Sequence, residues 1–182
     1  MAHAFPIDDK KHSKFEGEYG GVVERAISET FSKFLKTNVQ CEILPYSEKA
    51  SLDKDKDVSG VVGLVRDDGI EGTFSVHFSK KTLFPLLSKF FKTEINTVDN
   101  LTTESVGEIT NMIFGIIKEH LNDQEFGYRM CLPVVIVGAS HEVFSSVEGY
   151  RLLVAVTTGD NEGKFWCEMV LHRTGAEALL SA

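Results

Sequence analysis

Long apolar runs are missing from this chain. Its most apolar stretch, "LPVVIVGA", falls far short of the ~20 residues that cross a bilayer, so no membrane span is expected. The first twenty residues carry no apolar core of the kind a secretory signal has. Cysteine is scarce. Cys41, Cys131 and Cys167 are widely spaced and odd in number, which fits buried thiols in a reducing compartment and points to the cytoplasm. Basic charge is in deficit: the net charge is -8, which argues against a nucleic acid as the main partner. The six histidines and three cysteines show no zinc-type spacing, so no metal site is expected. No P-loop and no Gly-x-Ser-x-Gly elbow is present either. Membrane channels, disulfide scaffolds, nucleotide hydrolases of the P-loop type and α/β-hydrolases are thereby set aside.

What is present is periodic. Residues 1–18 are polar and unpatterned and read as a loose N-terminal arm, leaving 19–182 as the domain. From Gly21 to Lys36, Val22, Val23, Ala26, Ile27, Thr30, Phe31, Phe34 and Leu35 fall on one side of a predicted helix. "VQCEILPY" reads as a strand, and "SEKASLDKDKD" as a charged, solvated loop. "VSGVVGLVRDDGIEGTFSVHF" reads as a hairpin turning at its glycines. "KKTLFPLLSKFF" reads as a short helix with Pro85 near its start. The order then repeats: a long helix, a loop around "NDQEFGYRM", the strand "CLPVVIVG", the hairpin "YRLLVAVTTGDNEGKFWCEMVLH", and a short closing helix in "RTGAEALLSA". "EGTF" is echoed by "EGKF", and "LLSK" by "LLSA", in equivalent places. The expected fold is α+β: a single pseudo-symmetric domain from a duplicated helix–three-strand–helix unit, with long helices packed on a central sheet.

The long helix, "TTESVGEITNMIFGIIKEHL", carries the candidate chemistry. At about 100° per residue, with Glu108 at zero, Val106, Ile109, Ile113, Ile116 and Ile117 form an apolar stripe between roughly 80° and 180°. Glu104, Glu108, Asn111, Gly115, Lys118 and Glu119 take the opposite side. Gly115 costs about 1 kcal/mol there relative to alanine. Either a partner comes close at that point or a neighbouring helix crosses over it. Spacing alone does not separate Glu108–Asn111 from a second Glu-x-x-Asn pair, Glu119–Asn122. Lys118, beside this face, is placed to steer a partner or to pair with Glu104 or Glu119. His77, His120 and His141 read as structural, and Phe165 and Trp166 as packing residues of a hairpin.

"SVGEITNMIFG" resembles the G-E-x-x-N-x-x-x-G helix signature of the CheC, CheX and FliY chemotaxis phosphatases. "VSGVVGL" followed by "EGTFSVHF" looks like the family's first-half strands, and "LPVVIVGASH" (residues 132–141) resembles the CheX branch. The resemblance spans about residues 20 to 175. Neither the arm nor the charged loop has a counterpart in it. In the first helix Glu24 matches the glutamate of the signature, but Ile27 stands where asparagine would be. One intact pair favours the CheX side of the family.

The resemblance implies a phosphatase acting on the aspartyl phosphate of a CheY-type receiver domain. Asn111 would hold the attacking water and Glu108 would dock to the receiver's lysine, with Glu104, Gly115 and Lys118 at the partner contact. It also implies that Mg²⁺ sits on the receiver, that this chain has no cofactor of its own, and that the protein is a homodimer. The alternatives are a non-catalytic module that binds a response regulator, and a self-association module built on Gly115.

Overall fold

The computed structural model describes residues 9–122, 127–141, 143, 149–159 and 163–173. The chain runs α1 (Asp9–Lys33), β1 (Val39–Leu44), three short helical turns centred on α2 (Lys49–Leu52), β2 (Val58–Arg66), β3 (Ile70–Phe78) and α3 (Lys80–Phe91). It continues with α4 (Asn100–Asn122), β4 (Tyr128–Met130), β5 (Val134–Val137), β6 (Tyr150–Thr158) and β7 (Lys164–Arg173). The strands form one antiparallel sheet in the order β1-β6-β7-β3-β2-β4, with β5 also on β2. The fold is thus α+β with a single sheet, as expected. The first-half strand β1 pairs with β6 of the second half, while β4 and β5 of the second half pair with β2.

Alternation along the strands gives the sheet two distinct faces. One face presents Val58, Val62, Phe74, Val76, Phe78, Val154, Val156, Phe165, Cys167 and Met169 to the helices, and all of them are buried. Phe165 stacks between Phe31 of α1 (4.9 Å) and Phe78 of β3 (4.8 Å), and Phe74 meets Phe114 of α4 at 5.8 Å. Leu83, Leu86 and Leu87 of α3 join the same core. Burying a side chain of this size is worth roughly 1.5–3 kcal/mol.

Several expectations are corrected. Residues 9–18 are helical rather than a loose arm, because Phe15 and Tyr19, one turn apart, pack on each other (4.7 Å) and Phe15 stacks on Tyr150 (5.4 Å). Residues 1–8 and the proposed closing helix from 174 onward lie outside the described residues. Tyr128–Met130 is a strand rather than loop, held to β2 by pairing and to α1 by a 2.8 Å hydrogen bond between the Tyr128 and Tyr19 hydroxyls. Pro85 stands inside α3, past its first turn. Phe34, expected in the apolar stripe, is half exposed just beyond α1. Cys131 is exposed, whereas Cys167 is buried and Cys41 half-buried.

The largest correction concerns the charged stretch 47–57. It packs on the second face of the sheet, where Lys49 and Lys56 are both buried. Lys49 Nζ lies 3.3 Å from Glu168 Oε2, and the Tyr46 hydroxyl donates to Glu168 Oε1 at 2.9 Å. The Arg151 guanidinium sits over the Tyr46 ring at 4.8 Å. Beside these groups Ser75, His77, Ser59 and His141 form a chain of hydrogen bonds of 2.8, 2.7 and 2.6 Å, ending on the Gly138 carbonyl at 2.7 Å. The ring of His77 stacks on Trp166. These histidines and Trp166 are structural, as expected.

Candidate functional site

The site residues are carried by α4, and its local sequence explains how it starts, where it sits and where it stops. Asp99 and Thr102 cap the start reciprocally. The Asp99 carboxylate accepts from the Thr102 backbone N–H at 3.0 Å, and Thr102 Oγ1 accepts from the Asp99 N–H at 2.7 Å. Val106, Ile109, Ile113, Phe114 and Ile117 are buried, and Ile116 is half-buried, so the apolar stripe faces the sheet as the wheel required.

The contact beneath the candidate site is unusually close. A Cβ on Gly60 of β2 would lie 2.0 Å from Thr110 Oγ1, 3.0 Å from Thr110 Cβ and 3.1 Å from the Val106 carbonyl oxygen. Thr110 Oγ1 in turn donates to that carbonyl at 2.7 Å. Gly107 lies against Val135 of β5, 3.5 Å from where its own Cβ would be. The turn that carries Glu108 and Asn111 therefore rests directly on the backbone of β2.

On the outer side Glu104 and Glu108 are exposed, and Asn111, Gly115 and Lys118 are half-exposed. All five lie on one strip, and no hydrogen bond or ion pair within the described residues engages the side chains of Glu108 or Asn111. A Cβ on Gly115 would meet nothing within 4 Å, so no neighbouring helix of the described residues crosses there. Lys118 makes no ion pair with Glu104 or Glu119 among the described residues, so of its two expected roles the pairing is not found. Steric access and unused hydrogen-bonding capacity coincide at Glu108, Asn111 and Gly115.

The competing pair is different. Asn122 ends α4, and both of its amide atoms are engaged: Oδ1 accepts from the Tyr128 N–H at 2.6 Å, and Nδ2 donates to the Tyr128 carbonyl at 3.2 Å. It ties the helix end to the start of β4, a structural use of the amide that Asn111 does not have. His120, beside it, bonds the Ile116 carbonyl through Nδ1 at 2.9 Å. In α1, Ile27 is fully buried in the core, so the position matching Asn111 holds no polar group. Among the described residues no group of three or more His, Cys, Asp or Glu side chains is arranged to hold a metal ion.

Residues 58–157 match the family model described as "Chemotaxis phosphatase CheX". The chain belongs to the CheX family. That match takes in β2 through most of β6, with the whole of α4. Solved structures agree on the fold. CheX from Vibrio vulnificus is similar at 22% identity and TM-score 0.73, covering 85% of this chain and 97% of that one. A CheX–CheY–BeF3–Mg²⁺ complex from Borrelia burgdorferi aligns at 19% identity and TM-score 0.65, covering 85% and 98%. FliY from Thermotoga maritima aligns at 16% identity and TM-score 0.64, covering 94% and 93%. No curated protein matches the chain in sequence. No helix of the described residues is long and apolar enough to cross a membrane.

Sequence reading missed two features of the CheX fold as this chain builds it: the Gly60–Thr110 seat, and the polar layer beneath residues 46–57. The first had a signal, a glycine inside an otherwise strong strand. The second had none that composition could separate from a solvated loop.

Proposed function

We propose that this chain hydrolyses the aspartyl phosphate of a CheY-type receiver domain, with Asn111 positioning the attacking water and Glu108 docking to a lysine of the receiver. The observation that carries the reading is the outward-facing Glu108–Asn111 pair, unengaged among the described residues, on a seated helix within a CheX-family fold. An acyl phosphate is already activated, so the work left is to place water in line and to manage charge. A carboxamide does this without titrating: Oδ1 accepts from the water while Nδ2 donates. A carboxylate beside a phosphoryl group is repelled unless it meets a cation, and a lysine on the receiver answers that need for Glu108. Open space over Gly115 lets the partner approach, with Glu104 and Lys118 at the rim. On this reading Mg²⁺ is held by the receiver, as the Borrelia complex with Mg²⁺ suggests. The reading places the protein in the cytoplasm and includes a homodimer, for which sedimentation of the full chain is the direct measurement.

The test is phosphate release from a phosphorylated receiver in the presence of Mg²⁺. Asn111→Ala is expected to remove at least about 100-fold of the acceleration with an unchanged urea midpoint, the range for a lost positioning group. Glu108→Ala is expected to weaken half-saturation by the receiver more than the maximal rate. Full activity in Asn111→Ala overturns the water-positioning role. Binding without any acceleration by the wild type overturns the catalytic reading.

A further inference from the structure

Charge is unevenly distributed along this acidic chain. Between Glu71 and Glu94 it carries four lysines and no acidic residue. Lys80, Lys81, Lys89 and Lys92 all belong to α3 or its cap, and all are exposed. Phe90 and Phe91 lie among them at 43% and 37% exposure, packed edge to face on each other at 4.9 Å. Lys92 adopts φ 55°, a left-handed cap position where glycine is the favoured residue.

The end of α1 has the same character. Phe34 is exposed, and Lys36 takes φ 52°. The two segments adjoin, because Thr37, which follows α1, lines one hollow together with Thr82, Pro85, Leu86 and Lys89 of α3 and with Thr158 and Gly163 of the β6–β7 hairpin. Lys164 extends the patch, since its carbonyl accepts from Thr82 Oγ1 at 2.8 Å. Among the described residues Asp57 lies 3.9 Å from Lys80 and Glu29 bonds Lys33 at 2.7 Å. In sequence, Glu94 stands two residues after Lys92, and Asp160 and Glu162 precede Lys164. Lys36, Lys81, Lys92 and Lys164 form no ion pair within the described residues.

We propose that this surface, the exposed side of α3 with the adjoining end of α1, is a peripheral contact for an anionic lipid bilayer. Lysines around exposed phenylalanines are the chemistry of that interface: the rings enter the acyl boundary while the ammonium groups meet the headgroups. An acidic peptide fits less well. The hollow that α3 shares with Thr37 and with Thr158 and Gly163 of the β6–β7 hairpin encloses about 10 Å³, room for one water and not for an anchoring side chain. The acidic remainder of the chain does not forbid the contact, since charges beyond the ~8 Å Debye length are screened. The surface shares no residue with the Glu108–Asn111 strip.

The experiment is co-sedimentation of the full chain with vesicles of phosphatidylcholine alone and with about 30% phosphatidylglycerol, the anionic lipid supplying the attraction. Pelleting with the anionic vesicles only, lost in about 0.5 M salt, is expected. Each lysine at such a surface strengthens binding about fivefold, so Lys81→Glu/Lys92→Glu is expected to lower partitioning at least tenfold. Phe90→Ser/Phe91→Ser is expected to weaken it at fixed charge. The lysine double variant should keep the wild-type urea midpoint, and both double variants should keep receiver phosphate release per folded molecule in solution, which separates this surface from the α4 site. No pelleting, pelleting that neither double variant reduces, or retention on single-stranded DNA in place of the vesicles overturns the proposal.

Discussion

Gly60→Ala tests whether the seat of α4, rather than its outer face alone, sets the candidate site. The added methyl would stand 2.0 Å from Thr110 Oγ1, against an ordinary contact of about 3.4 Å or more, so something must shift by about 1 Å. The Thr110 hydroxyl can turn aside only by giving up its 2.7 Å bond to the Val106 carbonyl, and the methyl then still meets Thr110 Cβ at 3.0 Å and that carbonyl oxygen at 3.1 Å. Lifting the helix is the other escape, and it carries Glu108 and Asn111 with it. Overpacking of this kind costs about 1–3 kcal/mol, and a 1 Å misplacement of a positioned group costs about 100-fold in rate. Urea unfolding and receiver phosphate release, measured on the same preparation, read the two effects. Gly60→Ala/Thr110→Ala removes the worst contact and should recover much of both. Gly63→Ala is the control, because its methyl would meet Cys131 Sγ at an ordinary 3.6 Å. If Gly60→Ala matches the wild type in both stability and rate, the close seat is not what holds the helix.

Two further outcomes follow from the side chains near the site and beneath the sheet. Asn122→Ala should lower the unfolding free energy by about 1–3 kcal/mol, since it leaves the Tyr128 N–H and carbonyl without partners, while phosphate release per folded molecule stays at the wild-type value. A rate loss as deep as that of Asn111→Ala would make the second pair catalytic after all. Burial, reinforced by the nearby Lys56, Lys49 and His141, holds the His77 imidazole well below its ordinary range. The unfolded chain therefore takes up a proton near pH 6.5 that the folded one refuses, so stability falls as pH drops below about 6.5, by up to about 1.4 kcal/mol per pH unit. Urea midpoints at several pH values should fall less steeply for His77→Gln than for the wild type, and identical slopes would refute the assignment.

The helix that carries the candidate site was legible because burial on one side imposes a 3.6-residue beat. The wheel separated Val106, Ile109, Ile113 and Ile117 from Glu104, Glu108 and Gly115 without any knowledge of what α4 packs on. The hairpins were legible for the equivalent reason at period two, helped by glycine at the β2–β3 turn, where Gly69 takes φ 84°. Residues 9–18 were misread because a helix held by two aromatic contacts, Phe15 and Tyr19, has too few apolar positions to show a beat.

Composition and periodicity alone settled the class of the molecule, the existence of its long helices and strands, and which side of α4 faces outward. These are local properties, decided by the alternation of apolar and polar groups within a few residues. Only the tertiary structure distinguished Asn111 from Asn122, since that difference lies in whether Tyr128 returns to occupy the amide. Only it showed that no described residue covers Gly115 while the space at Gly60 is filled by Thr110. Only it turned Lys49 and Lys56 from solvated charges into buried ones, because the acid that answers Lys49, Glu168, arrives from a strand near the other end of the chain. Each of these outcomes depends on two segments far apart in sequence meeting within a few ångströms, and no local pattern records which of the many possible meetings occurs.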